Sequence, residues 1–121
     1  MPKSFSSLAC FGGSSLKEQK RQISFESPDI IVATPGRLID HLQNTAGFTL
    51  EDVEVLVLDE ADRMLDMGFI DDINKILSRL PNDIQSLLFS ATLSHKVRDL
   101  AKTAVYNPVE ISIPANQASK K

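Results

Sequence analysis

The chain has 121 residues, 42% of them hydrophobic, and a formal net charge of −3. That length supports one domain with one modest core, and the charge balance excludes a broadly basic nucleic-acid-binding surface. The single cysteine, Cys10, excludes an internal disulfide, and no apolar run approaches the roughly 20 residues that a membrane span needs; a reduced protein of the nucleus, nucleolus or cytoplasm with no membrane partner is expected.

Taken in order, Ser4–Phe11 reads as a weak strand that ends at Gly12-Gly13. Two glycines after a strand make either a plain turn or a place where a ligand comes close to the backbone. Ser14 or Ser15 caps a short polar helix through Arg21. Asp29–Ala33 is a second apolar strand running into Thr34-Pro35-Gly36-Arg37. Thr34 suits an N-cap and Pro35 the first helical position, and Leu38, Ile39 and Leu42 form one apolar stripe. The same residues also describe an anion site, with free N–H groups at a helix start, Gly36 for close approach and Arg37 nearby. Residues 43–49 read as a polar loop containing Gly47.

Val53–Asp62, V-E-V-L-V-L-D-E-A-D, is the stretch on which the rest is arranged. Its Val- and Leu-rich half predicts a central parallel strand buried on both faces. Asp59, Glu60 and Asp62 then arrive where that strand leaves the sheet. Carboxylates at such an edge suit Mg²⁺ beside a nucleotide phosphate, because Mg²⁺ takes oxygen ligands and keeps some of its waters. Met64, Leu65 and Met67 are packing residues of a short helix ended by Gly68. Phe69–Leu80 is an amphipathic helix stopped by Pro81. Gln85–Phe89 is a third apolar strand ending in Ser90-Ala91-Thr92, and Ser94 caps a helix whose inner face is Val97, Leu100, Ala101 and Ala104. His95 is an exposed first-turn residue. Val109–Ile113 alternates as a last strand, and residues 114–121 form a polar tail or the start of a linker.

The alternation of strands and helices predicts a parallel sheet with right-handed crossovers. Three apolar strands then end in polar signatures, I-I-V-A into T-P-G-R, V-L-V-L into D-E-A-D, and L-L-F into S-A-T. In a parallel sheet all three fall on one carboxyl edge, which makes them parts of one site. Charge is divided unevenly around it. Residues 51–83 hold ten acids against Arg63, Lys75 and Arg79, so phosphate binding belongs to the first half of the chain or to backbone amides.

At these residues the sequence resembles the DEAD-box family of ATP-dependent RNA helicases. The resemblance rests on Gly12-Gly13, Thr34-Pro35-Gly36-Arg37-Leu38, Val57-Leu58-Asp59-Glu60-Ala61-Asp62, the following M-L-D-M-G-F, and Ser90-Ala91-Thr92. It implies an α/β fold, a partial RecA-like (P-loop NTPase type) three-layer parallel sheet with helices on both faces, over residues 1–113. It implies ATP and Mg²⁺ as cofactors and RNA as partner. Asp59 would hold the Mg²⁺ of ATP, Glu60 would orient and deprotonate the attacking water, and Asp62 would bond the Ser90/Thr92 loop to couple nucleotide and RNA. Thr34, Pro35, Gly36 and Arg37, with Gly12 and Gly13, would contact RNA phosphates and sugars, which carry no base sequence.

The sequence departs from the family in lacking any G-x-x-x-x-G-K-[ST], the backbone cradle and lysine that grip phosphates. The phosphate-loop strand would lie between the strand ending in S-A-T and Val109–Ile113, and its absence leaves Leu87–Phe89 with an unpaired apolar edge. The expectation is a truncated piece of an ATP-dependent RNA helicase, inactive alone and completed by missing segments in cis or in trans. The competing expectations are an ATP-independent RNA- or partner-binding module and an inert remnant.

Overall fold

The computed structural model describes residues 5–10, 15–25 and 27–113. Gly12, Gly13 and the tail from residue 114 lie outside the described residues. Two short parallel ladders set the frame. β1 (Ser7–Cys10) pairs with β2 (Ile30–Ala33), in register from Ser7 opposite Ile30 to Cys10 opposite Ala33. β3 (Val55–Leu58) pairs with β4 (Gln85–Leu88), from Val55 opposite Gln85 to Leu58 opposite Leu88. Among the described residues these are two separate two-stranded sheets. Each pair is joined by helices, as parallel strands require. α1 (Leu16–Phe25) connects the first pair, α2 (Pro35–Asn44) leads from β2 towards β3, and α3 (Ala61–Asp66) and α4 (Ile70–Ser78) connect the second pair. α5 (His95–Ala104) follows β4.

The helices begin and end for local chemical reasons. Ser94 has extended backbone and its Oγ accepts the Val97 N–H at 3.3 Å, which satisfies one orphan donor of α5. Pro35 opens α2, where its missing N–H costs nothing. Thr34 occupies the cap position with extended backbone, but its side chain makes no capping bond, so only half of its expected role is realised. α3 ends at Gly68, whose φ of +81° suits a residue without Cβ. The Gly68 N–H bonds to the Leu65 carbonyl at 3.1 Å and the Phe69 N–H to the Met64 carbonyl at 3.0 Å, the pair of bonds that defines a Schellman ending.

Two apolar clusters share α4. Leu58, Ala61, Ile73 and Leu100 form one, flanked by Leu56, Phe69 and Leu88. Phe48, Leu50 and Ile76 form the other, against Ile31, Leu38, Ile39 and Leu42. The residue at the foot of the expected polar loop, Phe48, is therefore core. No helix among the described residues is long and apolar enough to cross a membrane.

Two expectations fail here. β3 is not buried on both faces. Leu58 is buried, whereas Val55 and Val57 are 50% and 52% exposed, because the helices that pack on Leu56 and Leu58 cover one side of the ladder. Ile30 and Val32 on β2 show the same alternation. Val109–Ile113 forms no strand, and Val109, Ile111 and Ile113 stand exposed. A strand needs a neighbour to accept its N–H groups, and among the described residues neither ladder extends to this segment. Glu110 in this segment forms an exposed ion pair with Arg98 at 3.3 Å. Among the described residues the outer edge of β4 has no paired strand, as expected, and Leu87 is exposed on the same uncovered face as Val57, its partner in the ladder.

The two cap positions separate in a stability measurement. Ser94→Ala is expected to lower unfolding free energy by about 1 kcal/mol. Thr34→Ala, which has no capping bond to lose, is expected to stay within about 0.5 kcal/mol. Urea titration of both variants reads the difference, and equal losses would contradict the assignment.

Candidate functional site

The β3–β4 ladder does not stop at its last paired residues. Phe89 N–H bonds to the Leu58 carbonyl at 2.8 Å, and the Phe89 carbonyl accepts the Ala61 N–H at 3.0 Å. The chain leaving β3 is thereby tied, three residues past its end at Ala61, to the chain leaving β4, one residue past its end at Phe89. Between those ties the backbone of Glu60 turns left-handed, with φ 52° and ψ 48°. A residue with a Cβ takes that conformation at a cost, and surroundings that force it are characteristic of functional loops. The turn directs Asp59 and Glu60 outward, and both are exposed.

Three carboxylates decorate this edge. Asp59 Oδ1 accepts the Glu60 N–H at 2.9 Å. Asp62 Oδ1 accepts the Arg63 N–H at 3.0 Å, and its other oxygen takes the Thr92 hydroxyl in a long bond of 3.4 Å. Ser90 Oγ accepts the Thr92 N–H at 3.4 Å. Asp62, in the first turn of α3, is thus bonded to Thr92 in the loop after β4, and Thr92 in turn to Ser90. Glu60 Oε2 lies 3.6 Å from Arg63 Nη1, a mostly exposed pair that holds little.

Among the described residues no group of three metal-ligating side chains converges. The donors present, Asp59 and Glu60 at an open edge, suit a hard cation that draws its remaining oxygens from water and phosphate, which is how Mg²⁺ is usually held. A cavity lined by Ser7, Leu8, Gln22 and Pro28 lies against β1 and α1, not at these carboxylates.

A second cluster sits at the carboxyl end of β2. Thr34 N–H bonds to the Cys10 carbonyl at 3.2 Å, which joins the ends of β1 and β2. Gly36 is exposed, and a Cβ added there meets nothing within 4 Å, so nothing in the protein itself demands glycine and the space beside the helix start is open. Arg37 is half-buried and its Nη1 donates to Gln19 Oε1 at 3.1 Å. The same oxygen lies 2.8 Å from His41 Nε2, and His41 Nδ1 lies 2.8 Å from Thr45 Oγ1. His41 is fully buried and stands edge-on to the Phe48 ring at 6.0 Å. Burial of Cys10 pushes its thiol up, and Arg37 opposes that rise, which places the guanidinium within electrostatic reach of the β1 end.

Gln19, His41 and Thr45 were not singled out in the sequence. His41 carries a detectable signal, since it falls three positions after Leu38 on the apolar stripe of α2. Gln19 carries none, because it lies in a wholly polar stretch. The two clusters belong to the ends of different sheets, so among the described residues the single carboxyl edge expected from the alternation of strands and helices is not formed, because no ladder joins β2 to β3 or β4. Gly12 and Gly13, the remaining site residues of the sequence reading, lie outside the described residues.

His41 gives the protein a pH dependence. Burial, with Arg37 and Lys20, lowers its pKa below the ordinary 6.5, and Asp40 opposes the shift. The unfolded chain then binds the proton more readily, so stability is complete above about 6.5 and falls as pH drops below it. Urea midpoints measured between about pH 5 and 8 are expected to rise with pH and to flatten in His41→Asn; a flat wild-type profile would contradict the lowered pKa.

Comparison with known proteins gives these clusters a family. A profile of the DEAD/DEAH box helicase family matches residues 2–100. The chain is 46% identical over 112 residues to "ATP-dependent RNA helicase drs1" of Schizosaccharomyces pombe, covering 93% of this chain and 15% of that protein. It is 52% identical over 104 residues to "Probable ATP-dependent RNA helicase ddx27" of Dictyostelium discoideum, covering 86% of this chain and 13% of that protein. The fold superposes on the crystal structure of a DEAD box protein from Methanococcus jannaschii with a TM-score of 0.77 and 37% identity, over 87% of this chain and 28% of that one. The chain therefore spans only 13–15% of these two curated relatives. Its α/β frame is part of a RecA-like domain, and by profile, sequence and structure the chain belongs to the DEAD/DEAH box helicase family.

Proposed function

We propose that residues 1–113 are the C-terminal part of the first RecA-like domain of an ATP-dependent RNA helicase, and that 114–121 are a polar tail or the start of the interdomain linker. The observation that carries this reading is the tie between the two loops, Ala61 to Phe89 and Asp62 to Thr92. It makes the D-E-A-D and S-A-T segments one mechanical unit, which is what coupling of a nucleotide site to another site needs.

The roles follow from chemistry. Phosphoryl transfer asks a protein mainly for positioning and charge stabilisation. Asp59 would supply an oxygen ligand for a Mg²⁺ brought with ATP, an ion that would offset charge developing on the phosphates. Glu60, presented outward by its left-handed backbone, orients the attacking water and takes its proton. Asp62, through Thr92 and beside Ser90, passes a displacement of the carboxylate loop to the loop after β4. Thr34, Pro35, Gly36 and Arg37, with Gly12 and Gly13, meet RNA through phosphate and sugar, so the contacts are independent of base sequence. The setting is intracellular, with the phosphate grip and the rest of the helicase supplied in cis or in trans.

A second reading is favoured by one sequence fact, the absence of G-x-x-x-x-G-K-[ST]. On that reading the 121-residue chain by itself is an ATP-independent RNA- or partner-binding module, or an inert remnant. Two measurements decide. The 121-residue chain is expected to release no phosphate from ATP above background, with or without RNA; turnover that disappears in Glu60→Gln would overturn its inactivity. The native polypeptide in its own cells is expected to exceed 13.3 kDa and to yield peptides containing a phosphate loop, with an RNA-stimulated ATPase that Glu60→Gln abolishes. A native species at 13.3 kDa would withdraw catalysis and leave the binding reading.

RNA affinity tests the other cluster. Binding of a single-stranded oligonucleotide is expected to weaken with salt and to need no ATP. Arg37→Ala is expected to weaken it and to reduce the salt slope by about one phosphate contact. An unchanged isotherm would remove Thr34–Arg37 from the site.

A further inference from the structure

We propose that Gln19 is a positioning residue for Arg37: its side-chain oxygen, itself held by His41, fixes the guanidinium at the start of α2 in the orientation that meets a nucleic-acid phosphate. The assignment rests on the reading of Thr34–Arg37 as an RNA contact.

The geometry settles which groups donate. A guanidinium only donates hydrogen bonds, so the Gln19 atom 3.1 Å from Arg37 Nη1 is the amide oxygen. That oxygen has no proton to give, so His41 Nε2, 2.8 Å away, must carry one. In the neutral ring Nδ1 is then an acceptor, and the Thr45 hydroxyl at 2.8 Å donates to it. The result is a directional chain from Thr45 through His41 to Gln19, with Arg37 donating into the same end. Gln19, His41 and Thr45 are all buried, at 3%, 0% and 7% exposure, where a misplaced donor or acceptor is expensive. The chain therefore has one low-energy arrangement, and Arg37 is tied into it.

An amide is the right group for such a hold. A carboxylate at position 19 would also orient the guanidinium, but as an ion pair it would cancel the positive charge a phosphate needs. Gln19, a neutral amide, orients Arg37 without adding a negative charge beside it. It also links α1, which follows Gly12-Gly13 in the sequence, to the start of α2. Pre-ordering a long side chain in this way removes a cost otherwise met at binding.

The test uses the 121-residue chain, a fluorescent single-stranded oligonucleotide at low salt, and ¹⁵N NMR of the imidazole. The wild type is expected to show His41 as the Nε2-protonated tautomer; an Nδ1-protonated ring would overturn the hydrogen-bond assignment. Gln19→Met, which keeps size and removes the acceptor, is expected to weaken RNA binding by about three- to tenfold, the scale of one hydrogen bond. Arg37→Ala is then expected to add little on top of Gln19→Met. If Gln19→Met does not fold, Gln19→Glu carries the test, with weaker binding and a shallower salt slope expected and an unchanged slope contradicting the proposal. Binding that is sensitive to Arg37→Ala but untouched by folded Gln19→Met overturns the positioning role alone. Absence of binding, or binding indifferent to Arg37→Ala, overturns the RNA reading itself.

Discussion

One helix holds this molecule together. The two ladders are separate sheets, and α4 supplies apolar residues to both of the clusters that cover them, Ile73 to the one beneath β3 and β4 and Ile76 to the one beneath β2 and α2. These two residues are three positions apart, so they share one face of the helix and reach neighbouring cores. Without that shared wall there would be two hairpin-sized units, and two-stranded sheets are marginal in water by themselves. The relative placement of the two functional clusters is therefore a consequence of α4 packing and not of hydrogen bonding within a sheet.

Above that packing, the carboxylate loop is shaped by backbone bonds. The carbonyl of Leu58 is used by Phe89, and the carbonyl of Phe89 is used by Ala61, so the two strand ends are laced together. Glu60 lies inside this lace and takes the left-handed turn that lets α3 begin one residue later. Buried Ala61 explains why the turn is sustained. Its side chain is at 0% exposure in the core that contains Leu58 and Ile73, and a larger residue there would push the loop off the ladder. In D-E-A-D the small residue is thus structural, and the acids around it are the exposed, chemical part.

Most of this was legible in the sequence because strand-end signals are local. The Val- and Leu-rich runs gave strands at β2, β3 and β4, and Pro35, Gly68 and Ser94 marked helix boundaries that the structure places within a residue or two. The pairing of Asp62 with Thr92 was legible only through the family resemblance, since thirty residues separate them. What failed depended on neighbours. Val55 and Val57 read as doubly buried, yet burial of a strand's second face is decided by elements elsewhere. Val109–Ile113 has the alternation of a strand and lacks a ladder to join. The Gln19–His41–Thr45 chain was invisible because polar residues in cores leave no periodic mark.

The two clusters differ in how much of their chemistry they carry. The Arg37 cluster is built, since half-buried Arg37 is bonded to Gln19, which is buried and bonded in turn to buried His41, with the bonds running between two helices. The carboxylate cluster is an open edge, with Asp59 and Glu60 in water. Exposed carboxylates are well solvated and poorly placed to steer a phosphoryl transfer, which depends on fixed groups in a water-poor site. The sequence has no G-x-x-x-x-G-K-[ST] to bring phosphate to that edge, and β4 presents an unpaired apolar strand edge beside it. A parallel strand paired with β4 would satisfy the free backbone edge of β4, and its carboxyl end would fall on the same side of the sheet as Asp59 and Glu60, beside the Ser90–Thr92 loop.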